Sequence, residues 1–349
     1  SDLAMMGSGT GAVIEERHIE NLPAIRNRIK LKDVGDVGGS APDDRREHTY
    51  VEVRGNTVTI DCGDSRTGWV EAYEAFLDLS TDNYFDHTRP VCVYVDLHRV
   101  RAAGQKLKGF GGTSNPVKLP GIFPKMAEIL NNAYGRKLTS TEICLLIDEA
   151  AAVVVAGNIR RSAGMRQFAS NDHEAARAKD NLWQQGEDGS WRIDPKRDAL
   201  RMANHTRVFH GQPDFPTVQD AVRKQFYSGE GAIQYVPEAV ARANVDLLCD
   251  ETSRRNFLCA YNRFGRADAA RYLKELASHN GVELSQEELD HRMDRYGLNP
   301  CGEIIGADFH CNLSEVHLNM LDPTDYEGLD KAFRAAGLAV AALLHHRSE

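Results

Sequence analysis

The segment Asn299-Pro300-Cys301-Gly302-Glu303 carries an amide, a thiol and a carboxylate at alternate positions. Proline disfavours the helical region for the residue before it, so Asn299 is expected to be extended. If the extension continues, side chains 299, 301 and 303 project to one side, about 6.6 Å apart in succession. An amide can hydrogen-bond a hydroxyl, a carboxylate can accept a proton and a thiol can transfer a hydrogen atom. The spacing predicts redox chemistry on a polyhydroxylated substrate, or else a loop in which the three groups never converge.

A second thiol, Cys311, follows ten residues after Cys301. A returning chain could bring the two sulfurs together, although their spacing does not require it. Catalysis by a cysteine nucleophile would instead need a histidine base in contact with Cys301, and His310 and His317 are the candidates. Both interpretations stay open at this point.

Three other segments could approach a phosphate group. Residues 7–11 (Gly-Ser-Gly-Thr-Gly) and 108–116 (Lys-Gly-Phe-Gly-Gly-Thr-Ser-Asn-Pro) lack the dinucleotide and P-loop spacings, so each alone is more typical of a tight turn. Residues 157–164 (Gly-Asn-Ile-Arg-Arg-Ser-Ala-Gly) place two adjacent arginines beside glycine and serine. Such arginines can hold phosphate through forked bonds, or can simply favour the carboxyl end of a helix. None of these segments identifies a reaction.

Together, these motifs resemble the catalytic subunits of ribonucleotide reductases. The segment 299–303, followed by Cys311-Asn-Leu-Ser-Glu-Val-His-Leu-Asn319, is similar to the finger loop of that family. The resemblance is closest to the monomeric, adenosylcobalamin-dependent ribonucleoside-triphosphate reductases. The further motifs, in the order of the family, are Met6-Gly-Ser-Gly-Thr-Gly11, Gly63-Asp-Ser-Arg-Thr-Gly-Trp69, Leu107-Lys-Gly-Phe-Gly-Gly-Thr113, Gly157-Asn-Ile-Arg-Arg-Ser-Ala163 and Arg201-Met-Ala-Asn204.

The resemblance implies a ten-stranded α/β barrel, built from two five-stranded halves around a central finger loop. By position, Cys301 would carry the thiyl radical that abstracts the ribose 3′ hydrogen, and Glu303 would take the 3′-hydroxyl proton. Asn299 would hydrogen-bond the substrate hydroxyls. Cys311 would belong to the thiol pair that supplies two reducing equivalents when the 2′-hydroxyl leaves as water. The substrate walls would include Gly111, Gly112, Thr113, Asn158, Arg160, Arg161, Ser162 and Asn204. Residues 165–171 would form a loop communicating between effector and substrate.

The resemblance also implies cofactors and partners. Adenosylcobalamin is the expected radical source, and the alternative is an iron or manganese dimetal centre on a separate ferritin-like subunit. The expected partners are a ribonucleoside di- or triphosphate and a thioredoxin-like thiol reductant, with the chain acting as a monomer or homodimer. Two rival functions are a catalytically silent nucleotide-binding relative and a phosphate-binding enzyme with Cys301 as nucleophile.

Some features of the family have no counterpart in this sequence. The other reducing cysteine would lie before the Met6 segment, and the phosphate-binding loop and cysteine-bearing tail would lie beyond Glu349. The interval between Ile14 and Gly63 is expected to have no room for the long effector-binding insertion of the monomeric cobalamin enzymes, and no ATP-cone domain is expected. Allosteric control should then be minimal or depend on a dimer interface. We expect residues 1–349 to form a single catalytic barrel domain that lacks its first strand and its C-terminal part.

The elements that must position these groups alternate between strands and helices, which favours an α/β architecture. Residues 49–61 predict a hairpin that turns at Gly55-Asn56, and residues 91–97 predict a strand. Helical periodicity covers residues 69–79. The sequence Thr139-Ser-Thr-Glu142 is a capping box that opens an apolar helix running to Gly157. A strongly apolar helix is expected at 329–345.

Composition limits the classes of partner. Acidic residues outnumber basic ones by 51 to 42 in a chain of 349 residues, which gives a net charge of −9 and disfavours broad nucleic-acid binding. The longest apolar run, residues 150–156, is far shorter than the ~20 residues of a membrane helix. With no signal peptide recognised, a soluble, cytoplasmic protein is expected. The seven cysteines show no Cys-x-x-Cys spacing, so no metal site is expected, and most are expected to be buried thiols.

Overall fold

The computed structural model describes residues 9–106, 113–156, 163–307, 314 and 316–345. The chain divides into two units, Ser1–Phe309 and His310–Glu349. The strands are β1 (Thr10–Ile14), β2 (Ile29–Val34), β3 (Tyr50–Arg54), β4 (Thr57–Asp61), β5 (Val91–Asp96), β6 (Gly164–Ala169), β7 (Trp183–Gln185), β8 (Trp191–Ile193), β9 (Ala203–Phe209), β10 (Ala232–Tyr235), β11 (Gly297–Leu298) and β12 (Ile305–Gly306).

The α-helices alternate with these strands over most of the first unit. They are α1 (Glu16–Ile19), α2 (Arg66–Asp78), α3 (Leu119–Asn132), α4 (Ser140–Ala156), α5 (His173–Arg177), α6 (Phe215–Ser228), α7 (Val236–Ala243), α8 (Glu251–Phe264), α9 (Arg266–His279), α10 (Gln286–Met293) and, in the second unit, α11 (Tyr326–His345). Short 3₁₀ turns lie at Pro42–Asp44, Pro116–Lys118, Asp198–Met202 and Leu318–Met320.

One sheet contains four parallel strands in the order β1, β6, β9, β10. Helices α7 to α10 form a core beside it, in which Val208 of β9 packs with Phe257, Leu273 and Tyr296. Because the strands are parallel and helices connect them, the α/β prediction is confirmed. The described strands form sheets of four, four, two and two, so they do not themselves display the ten-stranded barrel.

A second sheet, in the order β2, β5, β4, β3, has its own hydrophobic core. Phe76 of α2 and Phe123 of α3 are fully buried against it. The sheet lies in the chain between Ile14, where β1 ends, and Gly164, where the neighbouring strand β6 begins. The expectation that no insertion fits here is wrong. It assumed that the insertion had to end before Gly63, whereas β5 lies beyond Gly63 and pairs with β2 and β4 in this sheet.

Several local signals produce the predicted elements. The Thr139 Oγ1 accepts a hydrogen bond from the Glu142 N–H (3.2 Å), and Glu142 Oε2 accepts one from the Thr139 N–H (2.9 Å), so the capping box opens α4 as expected. Gly55 has φ +59° in the turn between β3 and β4. The resemblance implies a loop at residues 165–171, but residues 165–169 belong to strand β6 (Gly164–Ala169).

The cysteine environments differ from the expectation. Cys62 and Cys144 are buried, and desolvation raises the pKa of each thiol to about 12. Cys249, Cys259 and Cys301 are exposed.

Of the helices in the described ranges, none combines the length and apolar composition that a membrane crossing requires.

Candidate functional site

The segment with the amide, thiol and carboxylate forms the tip of a short hairpin. Strand β11 pairs antiparallel with β12, Gly297 opposite Gly306 and Leu298 opposite Ile305. Between the strands, the Asn299 carbonyl accepts a hydrogen bond from the Gly302 N–H (3.0 Å), which closes a four-residue turn with proline in its second position. Gly302 has φ +77°, a backbone conformation that favours glycine. We call residues 297–306 the finger hairpin.

The turn separates the three chemical groups. Asn299 is 1% exposed, and its Oδ1 accepts a hydrogen bond from the Ile304 N–H (3.0 Å) across the loop. Cys301 and Glu303 are exposed. The prediction that residues 299, 301 and 303 line one extended face is therefore wrong, because the chain turns immediately after Pro300.

Asn299 keeps one unsatisfied donor. Its Nδ2 atom is buried and has no hydrogen-bond partner among the residues that the structure describes. A buried donor without a partner costs about 1–3 kcal/mol, so a ligand oxygen at this point would be favourable. The site thus combines an exposed thiol with a buried amide donor two residues away.

Side-chain amides hold the hairpin against the parallel sheet. Gln167 of β6 is fully buried, and its Oε1 accepts a hydrogen bond from the Leu298 N–H (2.7 Å). Its Nε2 donates to the Tyr296 carbonyl (3.0 Å) and to Gln234 Oε1 (2.7 Å), and Gln234 Nε2 donates to the same carbonyl (2.9 Å). Neither glutamine was singled out from the sequence. The available signal was the presence of polar residues in the middle of two short strands, Arg166 and Gln167 in β6 and Gln234 in β10.

Gly11 allows the hairpin to lie close to β1. A Cβ atom at this position would overlap the carbonyl oxygen of Leu298. The backbone of the hairpin therefore occupies the space that any side chain at position 11 would need.

Gly11→Ala is expected to displace the base of the hairpin and to lower the free energy of unfolding by about 1–3 kcal/mol. The added Cβ overlaps a backbone atom of Leu298, which cannot rotate away as the end of a side chain could. Urea denaturation measures the effect. The matched control is Gly121→Ala in α3, where an added Cβ meets nothing within 4 Å. The control should be neutral or slightly stabilising. Equal stability of the two variants would contradict the close approach.

The structure describes only two of the remaining predicted site residues, Asn204 and Thr113. Asn204, expected in the substrate wall, donates through Nδ2 to the Pro300 carbonyl (2.7 Å) and so contacts the hairpin itself. Thr113 is exposed and forms an isolated bridge with Lys106. The other predicted residues lie outside the described ranges, so their placement stays a prediction, as does the approach of the second thiol to Cys301. These residues are Gly111, Gly112, Asn158, Arg160, Arg161, Ser162 and Cys311.

A cavity of about 1050 Å³ adjoins the hairpin on the β1 side, and Gly11, Arg17, His291 and Leu298 contribute to its lining. Arg17 donates to Asp294 Oδ1 (2.8 Å) at its rim.

A buried polar pair contacts Arg17, and in this pair the Tyr296 hydroxyl donates to the Glu15 carboxylate. Burial would raise the pKa of Glu15, but hydrogen bonds with His210 and Tyr296 outweigh it, so the pKa is lowered. Burial also raises the pKa of Tyr296 above its usual range. Glu15 is therefore ionised and Tyr296 neutral at pH 7. Their hydrogen bond holds Tyr296, the residue that directly precedes the hairpin, in place.

A separate group, Asp61, Asp96 and His98, brings three possible metal ligands within 4.8 Å of one another at the ends of β4 and β5. Arg99 Nε donates to Asp61 (3.0 Å), and His98 Nδ1 lies 2.6 Å from Asp96 Oδ1. Each carboxylate therefore already has a partner in the described part of the chain, and we do not propose the group as a cation site.

Comparison with known proteins relates this fold and site to one class of enzyme. Residues 34–130 match the family described as the insertion domain of B12-dependent ribonucleotide reductase. The crystal structure of a B12-dependent (class II) ribonucleotide reductase is similar to the chain with a TM-score of 0.52 and 21% identity. The likeness covers 67% of this chain and 31% of the other. The resemblance to ribonucleotide reductases is confirmed.

The curated relatives narrow the resemblance. The adenosylcobalamin-dependent ribonucleoside-triphosphate reductase of Lactobacillus helveticus is 29% identical over 194 residues, which are 51% of this chain and 25% of the relative. The enzyme of the same name from Lacticaseibacillus paracasei is 26% identical over 331 residues, 90% of this chain and 36% of the relative. The resemblance to the adenosylcobalamin-dependent group is therefore confirmed as well. The chain spans about a quarter to a third of the length of these relatives.

The match at residues 34–130 contains the whole of β3, β4, β5 and α2. It agrees with the inserted sheet between β1 and β6 and corrects the expectation that an insertion is missing. Minimal allosteric control was expected only because the insertion was taken to be missing, so that expectation is no longer supported.

Proposed function

We propose that this chain forms part of an adenosylcobalamin-dependent ribonucleotide reductase and carries its radical-bearing cysteine, Cys301. The observation that carries the proposal is the finger hairpin. It is anchored on a parallel sheet, presents an exposed thiol at its tip, and holds beside it a buried amide donor with no partner in the described part of the chain. The named relatives support the class of reaction.

In this proposal Cys301, as a thiyl radical, takes the 3′ hydrogen of the ribose. Glu303, exposed on the same turn, accepts the 3′-hydroxyl proton, and the unpartnered Nδ2 of Asn299 donates to a substrate hydroxyl. The 2′-hydroxyl leaves as water, and two thiols that close to a disulfide supply the two reducing equivalents. Cys311 is proposed as one of them, and a thioredoxin-like thiol reductant would reopen the disulfide.

Cys301 is exposed at the tip of the hairpin, which leaves this residue accessible to a radical source. When bound, adenosylcobalamin supplies a carbon radical able to accept the hydrogen of the thiol. Gln167 forms a hydrogen bond with the backbone of Leu298, and Asn204 forms one with the backbone of Pro300. These two hydrogen bonds would hold Cys301 at a fixed position during this transfer.

The four parallel strands are proposed as part of a ten-stranded barrel that encloses the finger hairpin. Gly111, Gly112, Asn158, Arg160, Arg161 and Ser162 are proposed for the substrate walls on the resemblance alone. The substrate class is a ribonucleoside di- or triphosphate.

The test is an anaerobic assay of deoxynucleotide formation by the protein, with adenosylcobalamin and a dithiol supplied. Formation of deoxynucleotide that requires both additions supports the proposal. Nucleotide binding without turnover would favour the silent relative. Hydrolytic turnover without cobalamin would favour a cysteine nucleophile.

Glu303→Gln is expected to lower kcat by about 10²–10⁴-fold with little change in KM, because the amide cannot accept the 3′-hydroxyl proton. Steady-state kinetics measure both constants. Glu327→Gln, on the exposed surface of α11, is the matched control and should leave both unchanged. A large rise in KM at normal kcat would instead assign Glu303 to substrate binding.

A further inference from the structure

Three amide side chains from three adjacent strands contact alternate residues of the chain that enters the hairpin. Gln167 and Gln234 both donate to the Tyr296 carbonyl, Gln167 also accepts from the Leu298 N–H, and Asn204 donates to the Pro300 carbonyl. We call Gln167, Gln234 and Asn204 the amide clamp. All its bonds to the hairpin go to backbone atoms.

The sheet register explains how the clamp converges. Asn204 is paired with Met165, and Gln167 is paired with Thr206. Because side chains alternate along a strand, Gln167 and Asn204 project from one face of the sheet, displaced along the strands by two residues. Gln234 lies opposite Val208 on the next strand and projects from that face too. An extended segment crossing this face meets the three amides at residues 296, 298 and 300.

We infer that the amide clamp positions Cys301, by fixing the backbone on which the thiol is carried. The inference rests on the proposed function for its catalytic consequence, although the clamp itself can be tested without turnover. Asn204 binds the carbonyl of Pro300, the residue directly before Cys301. Gln167 is the hub, because it both donates and accepts and also orients Gln234. The clamp consists of neutral amides, so it forms these bonds without adding a charge to the site.

The decisive variants are Gln167→Met and Gln167→Glu. The methionine keeps the volume but removes every hydrogen bond, so we expect exchange of the Leu298 amide with deuterium to accelerate about tenfold or more. In Gln167→Glu an ionised carboxylate would face the Tyr296 carbonyl and Gln234 Oε1, which loosens the clamp. At acidic pH the protonated carboxyl regains a donor, and protection of the Leu298 amide should return towards the wild-type value measured at the same pH. Gln167→Met should show no such recovery.

The Ile304 amide, which is bonded inside the hairpin to Asn299, is the internal reference, and its exchange should change much less. The matched control is Gln185→Met in β7, where the exposed amide donates to the nearby Gly189 carbonyl (3.1 Å). If Gln167→Met does not fold, Gln234→Met removes one donor to the Tyr296 carbonyl and tests the same clamp. Unchanged exchange at Leu298 in a folded clamp variant would overturn the inference.

Kinetics distinguish positioning from general stability. In an active enzyme, Gln167→Met should lower kcat by tenfold or more with KM nearly unchanged, and Gln167→Glu should gain activity as the pH falls relative to Gln167→Met. If the wild-type protein has no reductase activity but Gln167→Met still accelerates exchange of the Leu298 amide, the proposed function is refuted and the clamp is supported. Normal kcat in variants with fast Leu298 exchange would show that the clamp does not position the thiol.

Discussion

Cys301→Ser is expected to abolish deoxynucleotide formation, with a loss of roughly a thousandfold or more, the order seen when a reacting group is removed. Serine is nearly the same size, and Cys301 is exposed in a turn that the backbone hydrogen bond from Gly302 to Asn299 closes. The fold and nucleotide binding should therefore persist. The hydroxyl O–H bond is too strong for an oxygen radical to form and be regenerated in each cycle, so the chemistry fails at its first step.

The matched control is Cys259→Ser, an exposed cysteine on α8. Its turnover should equal that of the wild type. Anaerobic product formation and equilibrium nucleotide binding are measured on both variants. Appreciable deoxynucleotide production by Cys301→Ser would exclude the thiyl radical, whereas loss of binding would show that the thiol has a structural role.

Asp148→Ala is expected to destabilise the protein by about 3–5 kcal/mol. The carboxylate lies within α4 and accepts a hydrogen bond from the Arg166 guanidinium of β6 (2.7 Å). Both side chains are essentially inaccessible, at 0% and 1% exposure. Removal of the carboxylate leaves a charged guanidinium buried beneath the helix without its partner.

Urea denaturation at pH 7 measures this loss. The exposed pair Asp330–Arg334 on α11 offers the control variant Asp330→Ala, which should leave the midpoint essentially unchanged because water already solvates both charges. The double variant Asp148→Leu with Arg166→Met should be more stable than Asp148→Ala, since no buried charge then remains. A small effect of Asp148→Ala would contradict the burial of the pair.

Burial raises the pKa of Asp148 to about 6, against an ordinary value of 3.8, despite the opposing effect of Arg166. The folded state therefore binds more protons than the unfolded state between about pH 4 and pH 6. The contribution of this group to stability is fully present below about pH 4 and is lost as the pH rises through about 6. This component of the pH dependence should vanish in Asp148→Ala.

The sequence alone determined the features that depend on neighbouring residues. The capping box at Thr139 and Glu142 and the turn at Gly55 each need only residues a few positions apart, so their physics is contained in the local sequence. The order of the motifs around Asn299, Cys301 and Glu303 was sufficient to indicate the class of enzyme. The matches to the family model and to the relatives confirm the resemblance to that class.

Tertiary structure decided how these residues are held. Gln167 and Arg166 are adjacent polar residues in β6, and their partners, Leu298 and Asp148, are 131 and 18 residues away. Because strand side chains alternate, one partner lies on each face of the sheet, and no local pattern reveals which polar group will be satisfied there. The turn after Pro300 likewise depends on the hairpin that carries it, which is why Asn299 faces inward while Cys301 remains exposed.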